Sequence, residues 1–169
     1  MDAALKSSCT RSRCGAAIIL NDIIIATGAN ITPDGAPPTC IKDISRNKKY
    51  STDEHCCIHA EQVAIIRALR HRIDISGATL FFARLDREGN HIPAGELKCT
   101  TCSKLALFAG IKNWVLYMRA GTFGNDENTY MEFDAVEYNR ISFLKVYSEA
   151  IENGGNNQHP HVKTKGIVK

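Results

Sequence analysis

The sequence predicts a layered α/β fold, and three observations carry that expectation. Short apolar, β-branched runs alternate with longer helical patterns along most of the chain. The helical pattern over residues 58–70 is apolar around most of its circumference, as in a helix packed on both sides. A content of 44% hydrophobic and 23% charged residues in 169 suits one globular domain with a single core, which we place at residues 1–152.

Taken in order, residues 16–20 and 23–27 form two strands around Asn21-Asp22, a pair that tolerates the left-handed backbone of a tight hairpin turn. Gly28-Ala29-Asn30 leaves the second strand where α/β sheets carry ligand-binding loops. The Asn30 amide both donates and accepts hydrogen bonds, so it is either a ligand contact or an ordinary turn asparagine, and the sequence leaves both open. Residues 31–54 form a long loop with Pro33, Gly35, Pro37 and Pro38, ending in the basic stretch 46–49; loops of this length tend to be functional or disordered. Lys48 and Lys49 could meet a phosphate or simply form a solvated face.

The helix over 58–70 ends on Arg67 and Arg70. A third strand follows at 78–84, then a polar insertion at 86–97 with Gly89, Pro93 and Gly95. Thr100 or Thr101 caps a second helix that runs to about residue 109 and stops at Gly110. Residues 114–118 read as a fourth strand, 119–129 as a loop and 135–151 as a final helix with Val136, Ile141, Leu144, Val146 and Tyr147 on its apolar side. The tail, 153–169, is rich in Gly, Asn and His and reads as a flexible segment, with His159 and His161 at the surface.

Composition limits the function classes. A formal charge of +3 is too small to imply nucleic-acid binding by itself, while a small anionic substrate stays compatible. The first eight residues lack the apolar core of a signal peptide, and no run approaches the roughly 18 apolar residues of a membrane span. The expectation is a soluble, cytoplasmic protein with no membrane partner. Seven cysteines, an odd count without an export signal, then read as thiols or metal ligands rather than a disulfide framework.

The chemistry concentrates in His59-Ala60-Glu61 and Cys99-Thr100-Thr101-Cys102, forty residues apart (99 minus 59). One imidazole and two thiolates are a zinc donor set, and three protein ligands leave the fourth tetrahedral position for water, the mark of a catalytic rather than a structural site. Glu61 stands beside them as a proton carrier. His59 and Glu61 lie two residues apart, about 200° around a helix, so they can converge only at its N-terminus. Cys102 sits in the first turn of its own helix, whose positive dipole end lowers thiol pKa values as ligation requires. A lone His-x-Glu or a lone C-x-x-C means little; together, each opening a helix after a strand, they resemble the signature of zinc nucleobase deaminases.

The resemblance extends further. Ser8-Cys9-Thr10-Arg11, Gly15-Ala16-Ala17-Ile18-Ile19, Gly28-Ala29-Asn30, His59-Ala60-Glu61-Gln62 and residues 99–117, including Ala109-Gly110-Ile111-Lys112, resemble the deoxycytidylate deaminase branch of the cytidine deaminase superfamily. It implies a three-layer α/β/α sandwich around a mixed sheet of about five strands, and a homo-oligomer. It also implies a catalytic Zn2+ on His59, Cys99 and Cys102, catalysis by Glu61, and substrate contacts from Asn30 (sugar) and the Ala60 backbone (base). The chain departs from that pattern at Lys98, where the family has proline, at Val63, where asparagine is common, and in the 86–97 insertion. Some relatives carry a structural zinc just before the His-Ala-Glu motif, so Cys40, His55 and Cys56 are candidates for a second zinc site. The alternative is that Cys9, Cys14 and Cys57 are small core thiols.

The leading expectation is hydrolytic deamination of a free cytosine nucleoside or nucleotide resembling deoxycytidine monophosphate. A second hypothesis, deamination within single-stranded nucleic acid, would need stacking aromatics, for which Phe123 and Tyr130 are the candidates. A third, a non-catalytic zinc module that binds nucleotides, is disfavoured by the presence of Glu61.

Overall fold

The computed structural model describes residues 1–9, 12–34, 57–95, 97 and 99–152. The hairpin forms as its sequence dictates: β1 (Arg13–Leu20) and β2 (Ile23–Ala29) are antiparallel, joined by Asn21 and Asp22 at φ 50° and 62°. Both turn residues are left-handed, the conformation that matches the twist of the flanking strands. Helix α2 (Ala60–Arg70) follows, after α1 (Asp2–Leu5) at the start of the chain. Strand β3 (Thr79–Leu85), the short β4 (His91–Ile92), α3 (Thr100–Phe108), β5 (Asn113–Met118), β6 (Thr129–Asp134) and α4 (Ala135–Glu152) complete the order.

The sheet runs β2-β1-β3-β5-β6, with β4 on β3 off that path. Only β3 and β5 are parallel, because α3 crosses over between them; every other pair is antiparallel. The sheet is therefore mixed, with the expected five strands along its path.

Three elements depart from the sequence reading. Strand β6 occupies 129–134, of which all but the first residue had no assignment; Met131 and Phe133 turn to the core while Tyr130 and Glu132 turn away, an alternation too short to stand out beside a Gly/Asn/Asp loop. Strand β4 lies inside the 86–97 insertion, tied back by Asn90 N donating to Asp86 Oδ1 at 2.7 Å and Ala94 N to Tyr117 O at 2.6 Å. Helix α1 carries no sequence signal at four residues.

Two glycines define the layers. A Cβ on Gly28 would overlap the Ala60 carbonyl oxygen and the Ala64 nitrogen of α2, whereas one on Gly15 would overlap the Ala4 nitrogen of α1. Gly28 pairs with Ala16 and Gly15 with Ala29, so successive residues place α2 and α1 on opposite faces. The result is an α/β/α sandwich with a thick layer of α2, α3 and α4 and a thin one of α1. Ile18, Leu80, Trp114 and Leu116 form the core beneath the thick layer, where Trp114 stacks on Tyr138 at 4.2 Å between ring centres. Gly110 adopts φ 88° just past α3, the left-handed stop expected of it. Among the described residues no helix is long and apolar enough to cross a membrane.

Candidate active site

The two motifs meet at one edge of the sheet, each at a helix start. After β2, the Ile31–Ile58 bridge returns the chain to the sheet edge, and His59 enters as the N-cap of α2 in extended conformation. Its backbone N–H donates to Gln62 Oε1 at 3.0 Å and its carbonyl accepts from Val63 N at 3.0 Å, closing the first turn. The His-x-Glu spacing therefore works as expected: His59 lies just outside the helix and Glu61 just inside.

On α3 the cap is Cys99 rather than Thr100 or Thr101. The Cys99 sulfur accepts the Cys102 backbone N–H at 3.4 Å, and its carbonyl accepts from Ser103 N at 3.0 Å, so the threonines fall within the first turn. A cysteine whose sulfur already caps its own helix needs no hydroxyl there.

His59 Nδ1 lies 3.3 Å from both Cys99 Sγ and Cys102 Sγ, and the three donor atoms all fall within 4.8 Å of one another. A tetrahedral zinc at about 2.3 Å from sulfur and about 2.0 Å from nitrogen would separate N from S by about 3.6 Å. The observed set needs only a small expansion to accept the ion. The thiols carry a matching charge argument. Cys99 is pushed down to about 4, chiefly by its hydrogen bond from Cys102 and then by His59. Cys102 is pushed up by that same bond and by burial. The pair holds one negative charge easily, and the second needs added positive charge, which a divalent cation supplies.

Glu61 is buried and is not one of the three donors. Burial pushes its carboxyl above the usual carboxylate range, His59 pulls it back, and its carboxylate shares a hydrogen bond with Cys102. Ala60 is fully buried between the two, against Gly28.

Asn30 is 7% exposed and spends most of its amide on the protein. Its Oδ1 accepts from Cys14 N at 2.7 Å and Ser7 Oγ at 2.6 Å, and its Nδ2 donates to Ser12 O at 3.0 Å. It braces the start of β1 against the end of β2, beyond either reading its sequence position suggested. Tyr138 and Arg84 were not singled out by sequence. Tyr138 is buried on α4 within electrostatic range of Glu61, Cys99 and Cys102, and its spacing looks like any other core residue.

Cys40, His55, Cys56, the basic stretch 46–49, Lys98 and the tail with His159 and His161 lie outside the described residues. Among the described residues, Cys9, Cys14 and Cys57 form no further cluster of three metal donors. Phe123 and Tyr130 are exposed at 52% and 59%, as stacking residues would need to be, although surface aromatics are common without that role.

Residues 1–118 match the model of a family described as the cytidine and deoxycytidylate deaminase zinc-binding region. The chain belongs to this family. That span contains all four motif residues, and zinc is the metal that its donor set suits. Among similar proteins, the deoxycytidylate deaminase of Schizosaccharomyces pombe is 32% identical over 123 residues, covering 68% of this chain and 33% of the relative. That of Saccharomyces cerevisiae is 28% identical over 150 residues, covering 85% and 42%. The chain thus spans a third to two fifths of the curated relatives it matches. A structure of dCMP deaminase from the cyanophage S-TIM5 in apo form shares 27% identity over 68% of this chain and 71% of that one, with a TM-score of 0.40.

Proposed function

We propose that the chain catalyses zinc-dependent hydrolytic deamination of a free cytosine nucleotide or nucleoside of the deoxycytidine monophosphate type, giving the uracil product and ammonia. One observation carries the reading: an imidazole and two thiols converge from two helix starts beside a buried carboxylate that is not among the donors. His59, Cys99 and Cys102 would hold the metal. When bound, zinc supplies Lewis-acid activation of a water at its fourth position.

The chain's own residues then move the protons. Glu61 accepts the proton of the attacking water and delivers it to ring N3 as the C4–O bond forms. It then takes the remaining proton from the new C4 hydroxyl and gives it to the amino nitrogen as the C4–N bond breaks and the C4 carbonyl forms, and ammonia leaves. Desolvation suits Glu61 to this exchange, because it brings the carboxyl closer to neutrality than a solvated one. The backbone at Ala60 and the remaining N–H of Asn30 Nδ2 are the proposed contacts to base and sugar.

The reading takes residues 1–152 as one deaminase unit with 153–169 as a tail. It includes a homo-oligomer, which the exposed Ile66, Leu69, Phe108 and Tyr147 on the helical layer support and sedimentation at several concentrations tests.

The activity test is ammonia release from deoxycytidine monophosphate and deoxycytidine. Glu61→Gln is expected to lower turnover by about 10²–10⁴-fold while the zinc content stays at the wild-type level. Unchanged turnover in that variant removes Glu61 from the mechanism.

A further inference from the structure

The 86–97 insertion, one of the chain's departures from the deoxycytidylate deaminase pattern, ends two residues before Cys99. It begins as a hairpin. The Asp86 carboxylate closes the turn by accepting from Asn90 N at 2.7 Å and from Asn90 Nδ2 at 3.0 Å, and the return strand β4 sets His91 opposite Leu85 and Ile92 opposite Arg84 on β3.

Between β4 and Cys99 the chain is pinned at two points. Ala94 N donates to the Tyr117 carbonyl at 2.6 Å, and Leu97 is buried in the core. On its other side this segment borders a cavity of about 460 Å³, whose lining includes Arg84, Arg119 and Lys145, so packing there adds little hold.

His91 supplies a third pin. Its ring lies 4.5 Å from that of Tyr117, with 24° between the planes, and 5.9 Å from that of Tyr130. The two tyrosines pair across β5 and β6 with their rings 5.1 Å apart, so β4, β5 and β6 each contribute one ring to a single stack. The imidazole serves there as an aromatic surface rather than a hydrogen-bonding group. Its Nε2 is buried and has no hydrogen-bond partner among the described residues, and burial holds the group below the usual histidine range, which leaves the ring uncharged at neutral pH. Tyr117 is the shared anchor: its ring carries His91 and its carbonyl carries Ala94.

A ligand at the end of a loop is placed only as well as the chain that leads to it. From the helix side, Cys99 is fixed by the Cys102 N–H on its sulfur and the Ser103 N–H on its carbonyl. From the other side its approach is set by the insertion. Resting on the zinc site of the reading above, we propose that His91 and Tyr117 are positioning residues for the proposed ligand Cys99. Their stacked rings hold the insertion against β5 and β6 and thereby fix where the chain enters α3.

The test is zinc affinity by chelator competition in the full chain, well below its melting temperature. His91→Ala is expected to weaken zinc binding by about 10-fold, the low end of what losing a support around a metal site costs. His91→Phe restores a ring to the stack and should stay within about twofold of the wild type. Tyr117→Leu, which keeps the carbonyl, should match His91→Ala, and the double variant should be no weaker than either single one, because both break the same stack. Asn90→Ala opens the turn upstream of the stack; it should lower Tm and leave zinc affinity unchanged, which separates positioning from general stability. Wild-type affinity in His91→Ala or Tyr117→Leu, a loss that His91→Phe does not restore, or an equal loss in Asn90→Ala overturns the proposal. If the wild type binds no zinc, the metal reading fails by itself, and hydrogen exchange of the Cys102 and Ser103 amides, both bonded to Cys99, decides the positioning. Exchange about 10-fold faster in His91→Ala and restored in His91→Phe supports it, and an unchanged rate overturns it.

Discussion

The N-terminus of α2 rests on bare backbone, whereas that of α3 is tied down by buried hydroxyls. At α2 the Ala60 carbonyl and Ala64 nitrogen sit directly on Gly28, where any side chain would intervene. At α3 the turn after Cys99 is fastened to α4 instead: Ser103 Oγ lies 2.8 Å from Ser142 Oγ and 3.0 Å from Asn139 Oδ1, with both serines fully buried. A steric seat has no tolerance, because a Cβ either fits or displaces the helix. A hydrogen-bonded seat yields gradually, since each lost bond costs a limited amount and the neighbours can partly re-pair. The histidine and carboxylate are thus placed by exclusion, and the thiols by attraction.

Substitutions at the two seats should separate these cases. The largest effect is expected from Gly28→Ala, which drives a methyl into α2: a loss of about 3 kcal/mol, or about 6–12 °C in Tm, together with loss of bound zinc. Thermal melts and metal analysis check it, and a variant with wild-type zinc and Tm refutes the steric seat. Cys102→Ala removes a proposed ligand but leaves both seats intact. It should abolish zinc binding and make Tm insensitive to chelator, while the metal-free wild type and variant melt close together. A chelator response that persists would mean the metal sits elsewhere.

Ser142→Ala strips the α3 seat of one hydroxyl and should cost about 2 kcal/mol, with zinc weakened but retained in a chelator competition. Complete loss of zinc there would show the two seats to be equally rigid. Asp134→Ala probes the base of the same seat, since its Oδ1 accepts from Val136 N at 2.9 Å and Glu137 N at 3.3 Å to cap α4. About 1 kcal/mol of stability should go, with metal affinity unchanged within error.

Local patterns carried much of this structure. Asn21-Asp22 specified a hairpin turn because both residues tolerate positive φ, and Gly110 specified a helix stop for the same reason. The two-residue spacing of His59 and Glu61 placed the candidate site at a helix end, since no other part of a helix lets that pair converge. What failed was short or relational. Strand β6 offered six residues of alternation beside a turn-rich loop, and the cap of α3 was assigned to a threonine because hydroxyls are the usual caps. Asn30 was legible as a polar residue at the right strand end, but not as the brace whose oxygen takes two donors.

The sequence by itself determined the donor types, their separation along the chain and their positions at two helix starts, because helix geometry follows from a few neighbouring residues. Only the tertiary structure decided that the three donor atoms lie within 4.8 Å of one another, and that Arg84, Arg119 and Lys145 line one cavity. Those outcomes depend on strand order, on the parallel β3–β5 crossover and on the closeness that Gly28 permits. Each joins residues far apart in the chain, and no local pattern records their meeting.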